Sequence, residues 1–272
     1  MAYRTEHEQD IKRLITMLTD ACRQDKLGMA ESPEHLPPRV DISGFKDICT
    51  DLLDKTHSSR REYGRLLMFD PESRGLVFSN VTAGSQDAVQ YRERVRFIQP
   101  ENLMSLSTDE RQAVMVAQQQ MRSSKNLRLL GDGSDLGRRL RSSIVHPVAE
   151  IHTHPADTPI SPIDIAVTLY NPTMRMQIVI EPSGRRSAIM TTARTQWVPP
   201  ERRDEVRTNW TNMVARRIEQ ALSAQRDEGI SDEQLNWMVQ DTFARNAGAQ
   251  FGFGYYVETK QDTLERMEWP PS

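Results

Sequence analysis

Glu150-Ile151-His152-Thr153-His154-Pro155, followed by Ser161-Pro162-Ile163-Asp164, restricts the folding of this chain more than any other stretch. The histidines close an apolar run, Ile-Val-His-Pro-Val-Ala-Glu-Ile, that starts just after Ser143. If that run is a strand, residues two apart share a face, so His152 and His154 project together. Pro155 then ends the strand. Ser161 has the chemistry of a helix cap and Pro162 that of the first helical position. Asp164 therefore falls in the first turn of a helix, where it can point back at both imidazoles. Two neutral imidazoles and a carboxylate are the ligand set of a catalytic zinc with one position open to water. The spacing thus predicts a hydrolytic zinc site. Each half also has a plain structural explanation. The Ser-Pro-x-Asp stretch is a complete helix start, with an acid favoured by the helix dipole, and a single strand histidine can be satisfied locally.

The rest of the chain bounds this reading. Its 272 residues are enough for one large core, or for a domain with a helical appendage. A formal net charge of −3 gives no electrostatic case for a nucleic-acid partner. The two cysteines, Cys22 and Cys49, suit neither a zinc knuckle nor a redox pair and read as thiols in a reducing compartment. The start, Met1-Ala-Tyr-Arg-Thr-Glu-His-Glu, lacks the apolar core of a signal peptide, and no run is long and apolar enough to span a bilayer. The expectation is a cytoplasmic protein with no membrane partner.

In chain order, residues 6–25 read as an amphipathic helix with Ile11, Leu14, Ile15, Leu18 and Cys22 on one stripe. A proline-bearing linker spans Gly28 to Pro38, and a second helix is expected over 43–56, ending at the polar break Ser58-Ser-Arg-Arg. Glu62-Tyr-Gly-Arg-Leu-Leu-Met-Phe and Gly75-Leu-Val-Phe-Ser-Asn-Val read as a hairpin, with Val89 to Ile98 as a further strand. Ser107-Thr-Asp-Glu110 is a capping box for a helix to about Ser124, and Gly131-Asp-Gly-Ser-Asp-Leu-Gly a loop without the ligand pattern of an EF-hand. After Asp164 the helix runs to Tyr170, where Asn171-Pro172 stops it. Met176-Gln-Ile-Val-Ile-Glu and Ser187-Ala-Ile-Met-Thr-Thr form a second hairpin around Pro182-Ser-Gly184. Helices are expected over 206–224 and from the Ser231 capping box to about Asn246. Gly252-Phe-Gly-Tyr-Tyr-Val is a strand or aromatic clasp, and Trp269-Pro-Pro a tail.

Taken together, His-Thr-His-Pro at 152–155, a short loop and Ser-x-x-Asp at 161–164 resemble the JAMM motif of the JAB/MPN metalloprotease family. The surroundings agree over roughly residues 43–195. A helix at 43–56 leads to Glu62-Tyr-Gly64 and an apolar strand, and the Ser-x-x-Asp helix leads to Met176-Gln-Ile-Val-Ile-Glu-Pro-Ser-Gly184. The resemblance implies an α+β fold with a central mixed β-sheet flanked by helices, in a three-layer arrangement like that of cytidine deaminases. It implies a domain over 43–200 with an insert at 99–141, an N-terminal arm and linker over 1–42, and a C-terminal helical extension and tail over 201–272. It further implies that His152, His154 and Asp164 hold Zn2+, that Glu62 is the general base and acid, and that Ser161 donates to the developing oxyanion. The substrate implied is a protein or peptide C-terminal tail, ubiquitin-like proteins included, with the C-terminal helices free to dock a partner protein. Two departures stand out: the loop between His154 and Ser161 is one residue shorter than is usual, and Gly64 follows Glu62 more closely. Glu150, on the histidine face at period two, is the rival base.

Two other functions fit the same fold: a non-catalytic scaffold subunit, disfavoured by the intact ligand set, and a bacterial-type hydrolase of small peptides or conjugates. Other zinc folds do not fit. Amidohydrolases and PHP phosphoesterases need further histidines downstream of His-x-His, and none follows His154. The Pro-Cys-x-x-Cys element of nucleoside deaminases and the HExxH of zincins are absent.

Overall fold

The computed structural model describes residues 29–70, 75–85, 96–97, 107–108, 111–112, 144–171, 173–224 and 230–268. It is an α+β chain built on a mixed sheet. The elements are β1 (Arg39–Asp41), α1 (Lys46–Ser59), β2 (Tyr63–Asp70), β3 (Gly75–Phe78), β4 (Thr82–Ala83), β5 (Arg96–Phe97) and β6 (Ile144–Thr153). They continue with α2 (Pro162–Tyr170), β7 (Met176–Ile180), β8 (Arg186–Thr191), α3 (Arg203–Ala224), α4 (Asp232–Phe251), β9 (Phe253–Lys260) and β10 (Thr263–Arg266). The strand order is β1-β10-β9-β8-β7-β6-β2-β3, with β4 on β2 and β5 on β6. Among the described pairings only β6 with β7 is parallel. A parallel neighbour needs a crossover, and α2 supplies it.

Alternation along β7 separates two cores. Met176, Ile178 and Ile180 join Phe45, Cys49 and Leu52 around α1. Val179, from the other face, joins Ile165, Leu169, Val214, Phe243 and Ala247 from α2, α3 and α4. The sheet is therefore covered on both sides, and its central strand β7 is buried at every position, as expected of a strand with helices on both faces. Pro147 interrupts the β2–β6 ladder at a register shift between Leu67 and Met68, the kind of position where a strand tolerates a missing N–H.

Several bounds differ from the sequence expectation. Helix α1 runs through Ser58 and Ser59, and Arg60 closes it in the left-handed region (φ 55°) with its N–H on Thr56 O at 2.7 Å. Helix α4 reaches Phe251 because its stop is Gly252 (φ 75°). A Cβ there would lie 2.8 Å from the Arg194 carbonyl oxygen, so both the backbone angle and the space call for glycine. The chain turns straight into β9, which pairs with β8 and β10. Strands from the expected C-terminal extension thus lie inside the sheet, and β1 from the expected arm lies at its edge. The expected helix over 6–25, the loop at 131–137 and the tail lie outside the described residues. Of the expected strand at 89–98 only Arg96–Phe97 is described, and of the helix after Ser107 only residues 107–108 and 111–112, where Arg111 N donates to Ser107 O at 2.9 Å. No helix among the described residues is long and apolar enough to cross a membrane.

Candidate metal centre

Strand β6 ends as its alternation requires. Ala149, Ile151 and Thr153 face α1, while Glu150, His152 and His154 face the other side. Gly64 of β2 lies directly opposite His152 and presents no side chain to the ring. The His154 N–H donates to Ile180 O at 2.9 Å, and Ile160 N donates to Ser187 Oγ at 2.9 Å. These bonds anchor both ends of the short loop to the neighbouring strands. Helix α2 then starts at a full capping box: Asp164 N donates to Ser161 Oγ (3.2 Å), and Ser161 N donates to Asp164 Oδ2 (2.8 Å).

The cap aims the Asp164 carboxylate at the histidines. Oδ1 is 3.2 Å from His152 Nε2, Oδ2 is 3.2 Å from His154 Nε2, and the two Nε2 atoms are 3.3 Å apart. The shorter loop has therefore not cost the aspartate its reach. Both histidines and Glu62 are buried, and the Asp164 side chain is 14% exposed.

The tautomers follow from the outer partners. His154 Nδ1 lies 3.0 Å from Thr158 O and 3.0 Å from Thr158 Oγ1. A carbonyl oxygen only accepts, so Nδ1 carries the hydrogen and the Nε2 of a neutral ring is a lone pair. His152 Nδ1 lies 3.3 Å from Glu150 Oε1, an ion-pair distance without the alignment of a hydrogen bond. That carboxylate too favours hydrogen on Nδ1. Two lone pairs and an anionic carboxylate thus converge on one point. They repel one another unless a proton or a cation sits among them. His152, His154 and Asp164 form the group among the described residues whose donor atoms, all within 4.8 Å of one another, could hold a metal ion.

The electrostatics of the cluster agree with that geometry. Burial pushes the Asp164 carboxyl up, but His152 and then His154 overcome it and hold it well below the usual carboxylate range. Burial pushes His152 down, yet Asp164 and Glu150 hold it well above the usual imidazole value. The cluster attracts positive charge strongly. Glu62 starts just before β2, on the same sheet face as His152. Burial pushes its carboxyl up to about 7, against the pull of His152 and His154 and with help from Asp164 and Glu150. The carboxyl therefore shares the electrostatic neighbourhood of His152, His154 and Asp164.

Each residue expected from sequence is accounted for. His152, His154 and Asp164 come together, with Glu62 in their field and Glu150 behind the His152 ring. Ser161 caps α2, its hydroxyl donating to Asp164 Oδ2 at 2.6 Å. Sequence reasoning missed Thr158, which orients His154. It also missed Glu181, which follows β7, is 1% exposed, and accepts from Trp237 Nε1 of α4 at 3.0 Å. Neither has a sequence signal, because each partner is set by loop closure or by packing between distant elements. No protein-family model matches this chain, and no curated protein matches it.

Proposed function

We propose that the protein is a zinc-dependent hydrolase of the JAMM type that cuts a peptide or isopeptide bond. The observation that supports this most directly is the convergence of His152 Nε2, His154 Nε2 and the Asp164 carboxylate at 3.2–3.3 Å from one another. Ligands about 2.0–2.1 Å from a tetrahedral zinc lie about 3.3–3.4 Å apart; the two Nε2 atoms have that spacing, and each has one oxygen of the Asp164 carboxylate 3.2 Å away. The chemistry also fits, since two imidazoles and one carboxylate leave a fourth position free. Zinc held there supplies Lewis acidity, polarising a scissile carbonyl and acidifying water to near neutrality.

The chain's own groups do the rest. Thr158 and Glu150 hold the two rings with Nε2 inward, and outer partners of this kind sustain affinity by fixing ring orientation. The capping box fixes Asp164, so the third ligand is set by helix geometry rather than by a free rotamer. The Glu62 carboxylate takes the proton of the attacking water and returns it to the leaving nitrogen. Burial raises this carboxyl and so favours its holding the proton between the two transfers, while a bound cation favours its ionised form for the first. Ser161 Oγ exchanges its bond to Asp164 Oδ2 for one to the developing oxyanion. Together with the resemblance in the His-Thr-His-Pro and Ser-x-x-Asp stretches, this makes a polypeptide tail the substrate class, ubiquitin-like tails included.

The test is metal analysis of the purified full-length chain. About one zinc per chain is expected, as a single site of three protein ligands requires, with none in His154→Ala or Asp164→Ala. Wild-type protein that binds no zinc, or binds it equally well after His154→Ala, would overturn the proposal.

A further inference from the structure

Thr153, between the two histidines, faces the opposite side of the sheet and is fully buried, as is Thr56 of α1 but for 2% of its surface. Their hydroxyl oxygens are 2.5 Å apart. Thr56 Oγ1 also reaches Leu52 O at 3.1 Å, and Tyr63 N donates to Thr153 Oγ1 at 3.0 Å. Each hydroxyl has one hydrogen, which orders the chain. Tyr63 N–H donates to Thr153, Thr153 donates to Thr56, and Thr56 donates to Leu52 O. The alternative has Thr153 donating to Tyr63 O, a longer contact at 3.3 Å.

The relay ends on a particular peptide plane. The ladder between β2 and β6 begins at Gly64, so the Tyr63 N–H finds a side-chain hydroxyl where a strand would offer a carbonyl. The other polar atom of that plane, Glu62 O, accepts from Gly84 N at 2.8 Å. Glu62 N donates in turn to Ser85 O at 2.9 Å. The backbone on the C-terminal side of the Glu62 Cα is therefore pinned on one edge by Gly84 and on the other by Thr153. At a strand position with no exposure, valine would suit the backbone as well and would bury no hydroxyl. The retained hydroxyl thus has a task that packing alone does not set.

We propose that Thr153, backed by Thr56, is a positioning residue that holds Glu62 at its place beside the histidine pair. This rests on the reading of Glu62 as the proton-transfer group of a zinc hydrolase. A single strand end then serves both halves of the site. His152 and His154 face the metal, and the residue between them fixes the strand that carries the base. Misplacement by about 1 Å costs on the order of 100-fold in such chemistry, so a hydroxyl that sets a strand start has catalytic weight without touching substrate.

The test compares Thr153→Val with Thr153→Ser in the full-length chain, by zinc analysis, amide hydrogen exchange over residues 62–66, and a crystal structure of each variant. Thr153→Val is expected to keep about one zinc per chain. Its Tyr63 amide should exchange at least about tenfold faster, the sign of a local opening, and the Glu62 carboxylate should move about 1 Å or more from the histidines. Thr153→Ser should restore both readouts. Wild-type exchange and an unmoved Glu62 in Thr153→Val would overturn the proposal. So would zinc loss with faster exchange across all of β2 and β6, which would make Thr153 general support for the sheet. If the wild-type chain binds no zinc, the hydrolase reading fails by itself. Tyr63 exchange and the Glu62 position then still decide whether Thr153 holds that strand start.

Discussion

Replacing Glu62 by glutamine tests the electrostatics of the site and its chemistry in one variant. Glu62 is 6% exposed, and burial raises its carboxyl from 4.5 to about 7. The folded chain therefore binds this proton more tightly than the unfolded chain does. Below about pH 4 the carboxyl is protonated in both states and its ionisation contributes nothing. Between 4.5 and 7 the unfolded chain releases the proton first, so stability falls as pH rises. Above pH 7 the full cost of the buried charge is present, about 3 kcal/mol at most. Glu62→Gln carries no such charge. Metal-stripped variant and wild type should match near pH 4. At pH 8 the variant should be more stable by up to about 3 kcal/mol, or roughly 5–10 °C in Tm for a chain of this size. Calorimetry of chelator-treated protein across that range measures the gap. Zinc should narrow it, because a bound cation favours the ionised carboxyl. Hydrolysis by the zinc-loaded variant should fall by about 100- to 10,000-fold, the usual contribution of a positioned general base. A gap independent of pH, or a variant less stable than wild type at pH 8, would refute the reasoning.

Other substitutions separate roles that overlap in this structure. Asp164→Asn keeps an oxygen for the Ser161 N–H but loses the charge between the imidazoles. It should lower the Tm of metal-free protein at neutral pH, because a carboxyl held well below its usual range contributes stability there, and weaken zinc binding by more than about 100-fold, beyond what outer partners cost; calorimetry and zinc titration read the two effects separately. Gly252→Ala would force a left-handed angle and bring a Cβ to 2.8 Å from Arg194 O. It should cost at least about 1 kcal/mol in urea denaturation. Trp237→Phe removes the indole donor to buried Glu181. A loss of about 1–3 kcal/mol in the same assay is expected, with zinc affinity unchanged.

The local sequence determined much of the site. Period two put His152 and His154 on one face, and Ser161-Pro162 placed Asp164 in a first helical turn, because strand alternation and helix capping depend on residues a few positions apart. The same local rules marked β2, β3, α2, β7 and β8 to within a few residues, and the start of α4. Tertiary structure decided what depends on distant chain. Helix α1 outran its polar break because Arg60 accepted a left-handed angle, and α4 outran its expected end because only Gly252 fits against Arg194. Strand β9 entered the central sheet through hydrogen bonds to β8, and β10 followed by pairing with β9, which no spacing within 253–266 encodes. Pairing also put Gly64 across from His152, and burial raised the Glu62 carboxyl. The histidine pair, the aspartate and their order were thus written locally in 152–164. The burial of Glu62 beside them arises from a strand and a helix turn some 90 residues away in sequence, because burial and orientation exist only once those segments meet.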